Sequence, residues 1–269
     1  MSRGKLSSWL GGALVAGAFG ALWWLERRRP LRAAVESPNR RDARNLGVAL
    51  AAGAALRLTE RPIAERLTSL VERRRWGLVK RFALPRWVET ALAVVLLDYT
   101  LYLWHVLTHR APFLWRFHRV HHADLDLSAT TALRFHFGEL VLAVPWRAAQ
   151  ILALGVSPRA FSLWQTALFV SVLFHHSNAR LPEEFERRLN YLFVTPRMHG
   201  IHHSVVPEET DSNWSSGLTV WDRLHGTLRL DVPQDDIIIG LPDRRDPARL
   251  GLAEIIPMPF TESMALYPR

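Results

Sequence analysis

Three histidine clusters carry the chemistry this chain could perform: His105-x-x-x-His109, His118-x-x-His121-His122 and His199-x-x-His202-His203. They hold eight of the twelve histidines in a chain of 269 residues. At about 100° per helical residue, positions i, i+3 and i+4 fall within an arc of roughly 100°, so each cluster can aim its imidazoles at one point from a single helical face. Neutral imidazole is a common ligand of transition metals. Eight convergent rings exceed the ligand number of one zinc site, about three or four. The simplest reading is a site for two metals. His225 belongs to no cluster and reads as an ordinary packed or exposed ring.

Other metal chemistries fit less well. A zinc protease needs His-Glu-x-x-His with the glutamate as general base, but Val106 follows His105 and no cluster supplies that glutamate. Haem ligation by two histidines would leave most of the clusters without work. A metal transporter would hold ionisable ligands at mid-membrane, whereas these histidines stand at the ends of apolar runs and in polar segments. A di-metal centre that uses imidazoles where soluble bundles use carboxylates remains. Cysteine is absent, which excludes disulfides, a cysteine nucleophile, zinc-thiolate sites and iron–sulfur clusters ligated by this chain. Electrons for metal chemistry must then come from another protein.

The elements that position the clusters are apolar blocks between arginine-rich stretches. Leu6 to Leu25, ahead of Glu26-Arg27-Arg28-Arg29-Pro30, would span about 30 Å as a helix, the thickness of a hydrocarbon core. A signal peptide is the competing reading, but Trp23-Trp24 beside arginines suits a retained anchor. Seven arginines between residues 26 and 44, and nine Lys or Arg between 57 and 86, place both flanks on the cytoplasmic side. Leu46 to Leu56 lies between them and reads as a re-entrant or interfacial segment, with a short second span as the alternative. Trp87 to Trp104 reads as a membrane helix running into His105 and His109. Glu139 to Gly155 and Phe161 to Phe174 read as a hairpin around Val156-Ser157-Pro158-Arg159, which returns to the histidine side at His175-His176. From Asn178 onward the chain is polar and broken by prolines, as a cap of short helices would be. The net charge of +9 borders apolar runs rather than alternating with aromatics, so it points to a membrane and not to nucleic acid.

The expected fold class is all-α: polytopic membrane helices with a helical cytoplasmic cap carrying a histidine-rich di-metal site. The expected organisation is a membrane anchor and basic amphipathic region at 1–86, a metal-site domain at 87–260 and a tail at 261–269. The expected location is a bacterial cytoplasmic membrane, with the site facing the cytoplasm.

In their order and spacing, these residues resemble the membrane-bound fatty acid hydroxylase superfamily, also called the sterol desaturase family. The resemblance runs from about residue 90 to 260. It is carried by Asp98-Tyr99, the first cluster, Leu114-Trp115-Arg116-Phe117 leading into the second, and Thr130-Thr131-Ala132-Leu133-Arg134-Phe135-His136. Phe174-His175-His176-Ser177-Asn178, Thr195-Pro196-Arg197-Met198 leading into the third cluster, and Trp221-Asp222-Arg223-Leu224 complete it. It implies metal ligands at His105, His109, His118, His121, His122, His199, His202 and His203, with His176 as a ninth. His175 stands where relatives often carry glutamine, which implies a place beside the ligands. His136 lies in an Arg-x-His-Pro-x-Glu pattern in which Phe137 replaces proline and Glu139 is kept, and is implied as either a ligand or a supporting group.

The implied cofactors are two iron ions, with O2 as co-substrate, and no catalytic residue beyond the ligands is implied. The implied activity is hydroxylation or desaturation of an unactivated C–H position in a lipid, such as a sterol or fatty acyl chain, fed by an external electron-donor protein. A non-catalytic metal-binding or metal-transport membrane protein is the alternative reading.

Overall fold

Apolar runs bounded by arginine make the long helices of this chain, and prolines set where many of them begin. A computed structural model describes residues 3–261, with side chains from Trp9 onward. Of the expected C-terminal tail, only Thr261 falls within that range. The long helices are α1 (Arg3–Arg28), α2 (Pro38–Ala55), α3 (Arg61–Arg74), α4 (Arg86–Arg110), α5 (Pro112–His122), α6 (Phe137–Leu154) and α7 (Pro158–His176). Six helices of four to seven residues follow: α8 (Glu183–Leu189), α9 (Pro196–His202), α10 (Pro207–Thr210), α11 (Val220–His225), α12 (Leu252–Ile255) and α13 (Met258–Thr261). Proline opens α2, α5, α7, α9 and α10, where its missing N–H has no helical partner to lose. The architecture is all-helical, as expected.

Among the described residues, three helices are long and apolar enough to cross a membrane: Trp9–Arg28, Arg86–Arg110 and Phe137–Leu154. Packing adds detail to two of the expected segments. Leu46 to Leu56 is not a separate segment, because a π-helical turn at Leu56–Glu60 joins α2 to α3 in one run that packs along α6. The α6–α7 pair turns where expected, yet α4 packs against both helices. α7 is not among those three helices, although it runs from the α6–α7 turn back to His176. Its Gln165 donates to Glu60 at 3.4 Å and its Ser171 to the Ser216 carbonyl at 2.7 Å.

The helix layer is filled by Ala64, Val71, Leu97, Ile151, Phe161 and Trp164, from α3, α4, α6 and α7. At its edge Gly77 (φ 93°) meets Gly155 (φ 81°), and a Cβ on Gly77 would overlap the Gly155 backbone. A second apolar cluster, in which Val48, Trp115, Val120, Leu250, Ile255 and Met258 are buried together, joins α2 and α5 to the C-terminal end of the cap. Full burial of each such aliphatic side chain contributes about 1.5–3 kcal/mol where the alternative is water.

The arginines at 26–44 do more than border a membrane. Arg44 bonds Glu36 at 2.6 Å and reaches Asp124 at 3.3 Å, and Arg41 lies 3.7 Å from Asp124. Asn45 donates to Asp124 at 2.9 Å and accepts from Arg134 at 2.7 Å, while Arg134 also donates to the Val120 carbonyl at 2.8 Å. Arg32 donates to the Pro196 carbonyl at 3.1 Å, and a Cβ on Gly200 would run into its guanidinium. The N-terminal segment is therefore bolted to both α5 and α9, across the expected boundary at residue 86. Sequence spacing alone shows arginines beside apolar runs; that Asp124 is their buried partner appears only in three dimensions.

Candidate metal centre

Four helices deliver nine imidazoles to one buried place. His105 and His109 come from the last turns of α4, and His118, His121 and His122 from the end of α5. His176 closes α7, and His199, His202 and His203 lie at the end of α9. Ala111 alone links α4 to α5, in an extended conformation that folds the two helix ends onto each other. All nine rings are buried.

They fall into two groups. His105, His109, His118, His122 and His202 form the first; His121, His176, His199 and His203 form the second. Within each group the candidate ligand nitrogens lie within 4.8 Å of one another. The clusters on α5 and α9 therefore do not each aim at one point, as the helical spacing suggested, whereas His105 and His109 of α4 stay in one group. On α5 and α9 the i, i+4 pair stays together while the i+3 ring crosses to the other group. The reason is angular: i and i+4 differ by about 40° around a helix, whereas i+3 and i+4 diverge by about 100°. The groups adjoin, with the His122 and His203 rings stacked at 4.2 Å.

Hydrogen bonds on the outer side fix several tautomers. His105 Nδ1 lies 2.7 Å from the Trp214 carbonyl and His202 Nδ1 2.8 Å from the Ser212 carbonyl. A carbonyl only accepts, so each Nδ1 carries the proton and each Nε2 keeps its lone pair for the centre. His176 Nδ1 donates to the Val172 carbonyl at 2.8 Å in the same way, and His118 Nδ1 lies 2.9 Å from the Glu139 carboxylate. Asp222 stands one step further out. It accepts from the Trp214 and Ser215 amides at 3.0 Å each and from Thr227 at 2.7 Å, which holds the loop that receives His105.

The residues fit a metal pair. In the first group His118 Nε2, His202 Nε2 and both ring nitrogens of His109 and His122 are buried without any hydrogen-bond partner. In the second, His176 Nε2 faces His121 Nε2 at 2.9 Å and His199 Nε2 at 3.0 Å. Each orphaned buried polar atom costs about 1–3 kcal/mol unless something binds it. Protons are a poor answer: burial and neighbouring rings hold His121, His122, His199 and His203 far below the usual imidazole range, and His202 falls to about 3. These are neutral rings with inward lone pairs, and a cation satisfies them together. An all-imidazole set suits iron, zinc, copper or nickel.

Two further histidines stay outside both groups. His136 caps α6, accepting from Gly138 N at 2.9 Å, and its Nε2 faces the Ile256 carbonyl at 3.0 Å. His175 packs against His199 with ring centroids 4.2 Å apart. His225 stacks on Tyr102 at 5.0 Å at the surface. The Trp214 and Ser212 carbonyls escape a sequence reading because a backbone acceptor has no residue signature. Asp222 lies in the Trp221-Asp222-Arg223-Leu224 motif, where spacing alone gives it no role.

The fatty acid hydroxylase family model matches residues 90–227. Ornithine lipid hydroxylase OlsE of Rhizobium tropici is 33% identical over 145 residues, covering 54% of this chain and 43% of that protein. Alkylglycerol monooxygenase of Xenopus tropicalis is 30% identical over 170 residues, 61% of this chain and 35% of that protein. Cholesterol 25-hydroxylase of Homo sapiens is 27% identical over 144 residues, 51% of this chain and 49% of that protein. The chain thus spans between a third and a half of the length of these curated relatives. No solved structure matches it. All nine converging imidazoles lie within the matched stretch, which is just over half of the chain, and the chain belongs to the fatty acid hydroxylase family.

Proposed function

We propose that this chain is an integral membrane di-iron oxygenase that hydroxylates an unactivated C–H position of a lipid. The balanced reaction is RH + O2 + 2 electrons + 2 H+ giving ROH + H2O. The single observation that carries the reading is the pair of buried, all-imidazole groups, the first with unpartnered ring nitrogens and the second with its Nε2 atoms crowded on one another. In this reading His105, His109, His118, His122 and His202 hold one iron, and His121, His176, His199 and His203 hold the other. Bound there, the irons supply O2 activation and C–H oxidation. The protein's part is to keep the rings neutral, to aim their lone pairs through the outward Nδ1 bonds, and to exclude bulk water from the centre. His136 and His175 support the surrounding structure rather than binding metal.

A lipid substrate is supported by relatives whose names include ornithine lipid hydroxylase, alkylglycerol monooxygenase and cholesterol 25-hydroxylase, and by helices through which an apolar substrate can arrive from the bilayer. The electron donor is an external protein, since a chain without cysteine ligates no iron–sulfur cluster through thiolates. The arginine-rich flanks support a site facing the cytoplasm. Residues 87–260 form the catalytic part, and 1–86 act as an anchor whose residues 26–45 also brace the histidine helices.

The test uses protein purified in detergent from iron-replete cells. The expected result is two irons per chain and reductant-dependent O2 uptake with a lipid extract, yielding a lipid one oxygen heavier. Fully folded protein with one metal or none would overturn the di-iron assignment. Two metals without O2 uptake, with reductant and donor supplied, would favour a metal-binding protein instead.

A further inference from the structure

An apolar face of the cap has no partner among the described residues. Tyr191, Leu192 and Phe193, which follow α8, are 67%, 63% and 44% exposed, and Val220 and Leu224 of α11 are 44% and 67% exposed. The two segments are stitched together. Thr219 N donates to the Leu192 carbonyl and Val194 N to the Gly217 carbonyl, both at 3.1 Å. Arg223 donates to the Asn190 carbonyl at 3.1 Å and lies over the Tyr191 ring, 5.4 Å from its centroid. Scattered exposed leucines are ordinary, but five large apolar side chains on one stitched pair of segments mark an interaction surface.

Where this face hangs decides what covers it. Asp98 accepts from Leu218 N at 3.0 Å and from Trp221 Nε1 at 2.7 Å. A Cβ on Gly217 would overlap the Asp98 carboxylate, and the Tyr99 ring lies 4.8 Å from that of Trp221. Asp98 is the central residue of α4, which runs from Arg86 to Arg110; each end is about 18 Å away. α4 is one of the three helices able to cross a membrane. A segment hydrogen-bonded to its midpoint cannot stand clear of a bilayer that the helix crosses.

We propose that residues 191–193 and 218–224 form an immersed apron, a face of the cap that lies within the hydrocarbon region of the leaflet on the histidine side. Tyr191, Leu192, Val220 and Leu224 contact acyl chains, and the Arg223 guanidinium stays satisfied on the Asn190 carbonyl over the Tyr191 ring. The proposal rests on α4 crossing the membrane and not on the oxygenase reading. His105 and His109 lie about 10 and 16 Å along α4 from Asp98, so the metal groups stand from inside the leaflet to its edge, where a lipid can approach from the side.

The absence of cysteine makes the test direct. Single spin labels at Leu192→Cys, Leu224→Cys, Val95→Cys and Asp235→Cys, in vesicles of phosphatidylcholine and phosphatidylglycerol, are compared for collision with O2 and with a water-soluble nickel chelate. The expected result is that labels at 192, 224 and 95 favour O2 and the label at 235 favours nickel. Labels at 192 and 224 as nickel-accessible as that at 235, with 95 immersed, would overturn the apron alone. Nickel access at 95 as well would overturn the membrane reading of α4 on which it rests. Spin–spin broadening at 192 would show a second copy of the chain covering the face, and would also overturn the proposal.

Discussion

At the scale of single residues, the centre depends on buried imidazoles, several of whose ring nitrogens have no hydrogen-bond partner. His202 has its Nδ1 committed to the Ser212 carbonyl and its Nε2 orphaned. Replacing it with alanine is expected to remove one of two metals and to lower lipid oxidation at least about 100-fold, the upper end of what disturbing a metal's surroundings costs. His225→Ala is the control and should keep most activity, because that ring stacks on tyrosines at the surface. Metal analysis beside turnover checks both. Equal losses in the two variants would contradict the assignment. Asp222 acts through the loop it holds. In Asp222→Asn an amide N–H faces the Trp214 or Ser215 N–H, so the acceptor of His105 should drift. The expected outcome is a 10–100-fold weaker hold on the first group's metal, with the second group's metal retained, read by chelator competition.

At the scale of elements, the end of α5 is held by charge rather than by apolar packing alone. Asp124 is buried among Arg41, Arg44 and Arg134; they pull its carboxyl below the usual range, while burial lowers the Arg134 guanidinium to about 10. Removing one partner of such a group leaves the others charged and unpaired. Asp124→Ala is therefore expected to cost about 3–5 kcal/mol, measured by thermal or denaturant unfolding of the metal-free protein. A loss below about 1 kcal/mol would mean that water or another group reaches these arginines. The helix starts were legible because proline and apolar run length act locally. The continuity of α2 with α3, and the place of α4 between α6 and α7, were not legible, because packing partners leave no mark in a one-dimensional pattern.

At the scale of the whole molecule, sidedness is the open quantity that a cysteine-free chain makes easy to measure. Arg159 at the α6–α7 turn and Asp235 in the cap are both exposed. Cysteines introduced singly at these positions are expected to label from opposite sides of a sealed membrane, with the position at 235 on the cytoplasmic side. Labelling of both from one side would reverse the assignment of α6 as a span. Ser204, inside the third cluster's neighbourhood, is buried and unsuitable as a probe.

By itself the sequence determined a histidine set that could hold metal and the helical class. Histidine spacing, apolar length and missing cysteine are local properties that survive in any arrangement, and the nine candidate ligands at His105 to His203 are the nine that converge. Only the tertiary structure decided how those nine divide. An i+3 ring and an i+4 ring on one helix point about 100° apart, and whether they serve one centre or two depends on what the facing helices present between them. It also decided that the N-terminal arginines brace the site and that the cap reaches the middle of α4. Burial chooses one partner for each charge and hydrogen bond, and that choice is made across more than a hundred residues, as in Asp98 with Trp221.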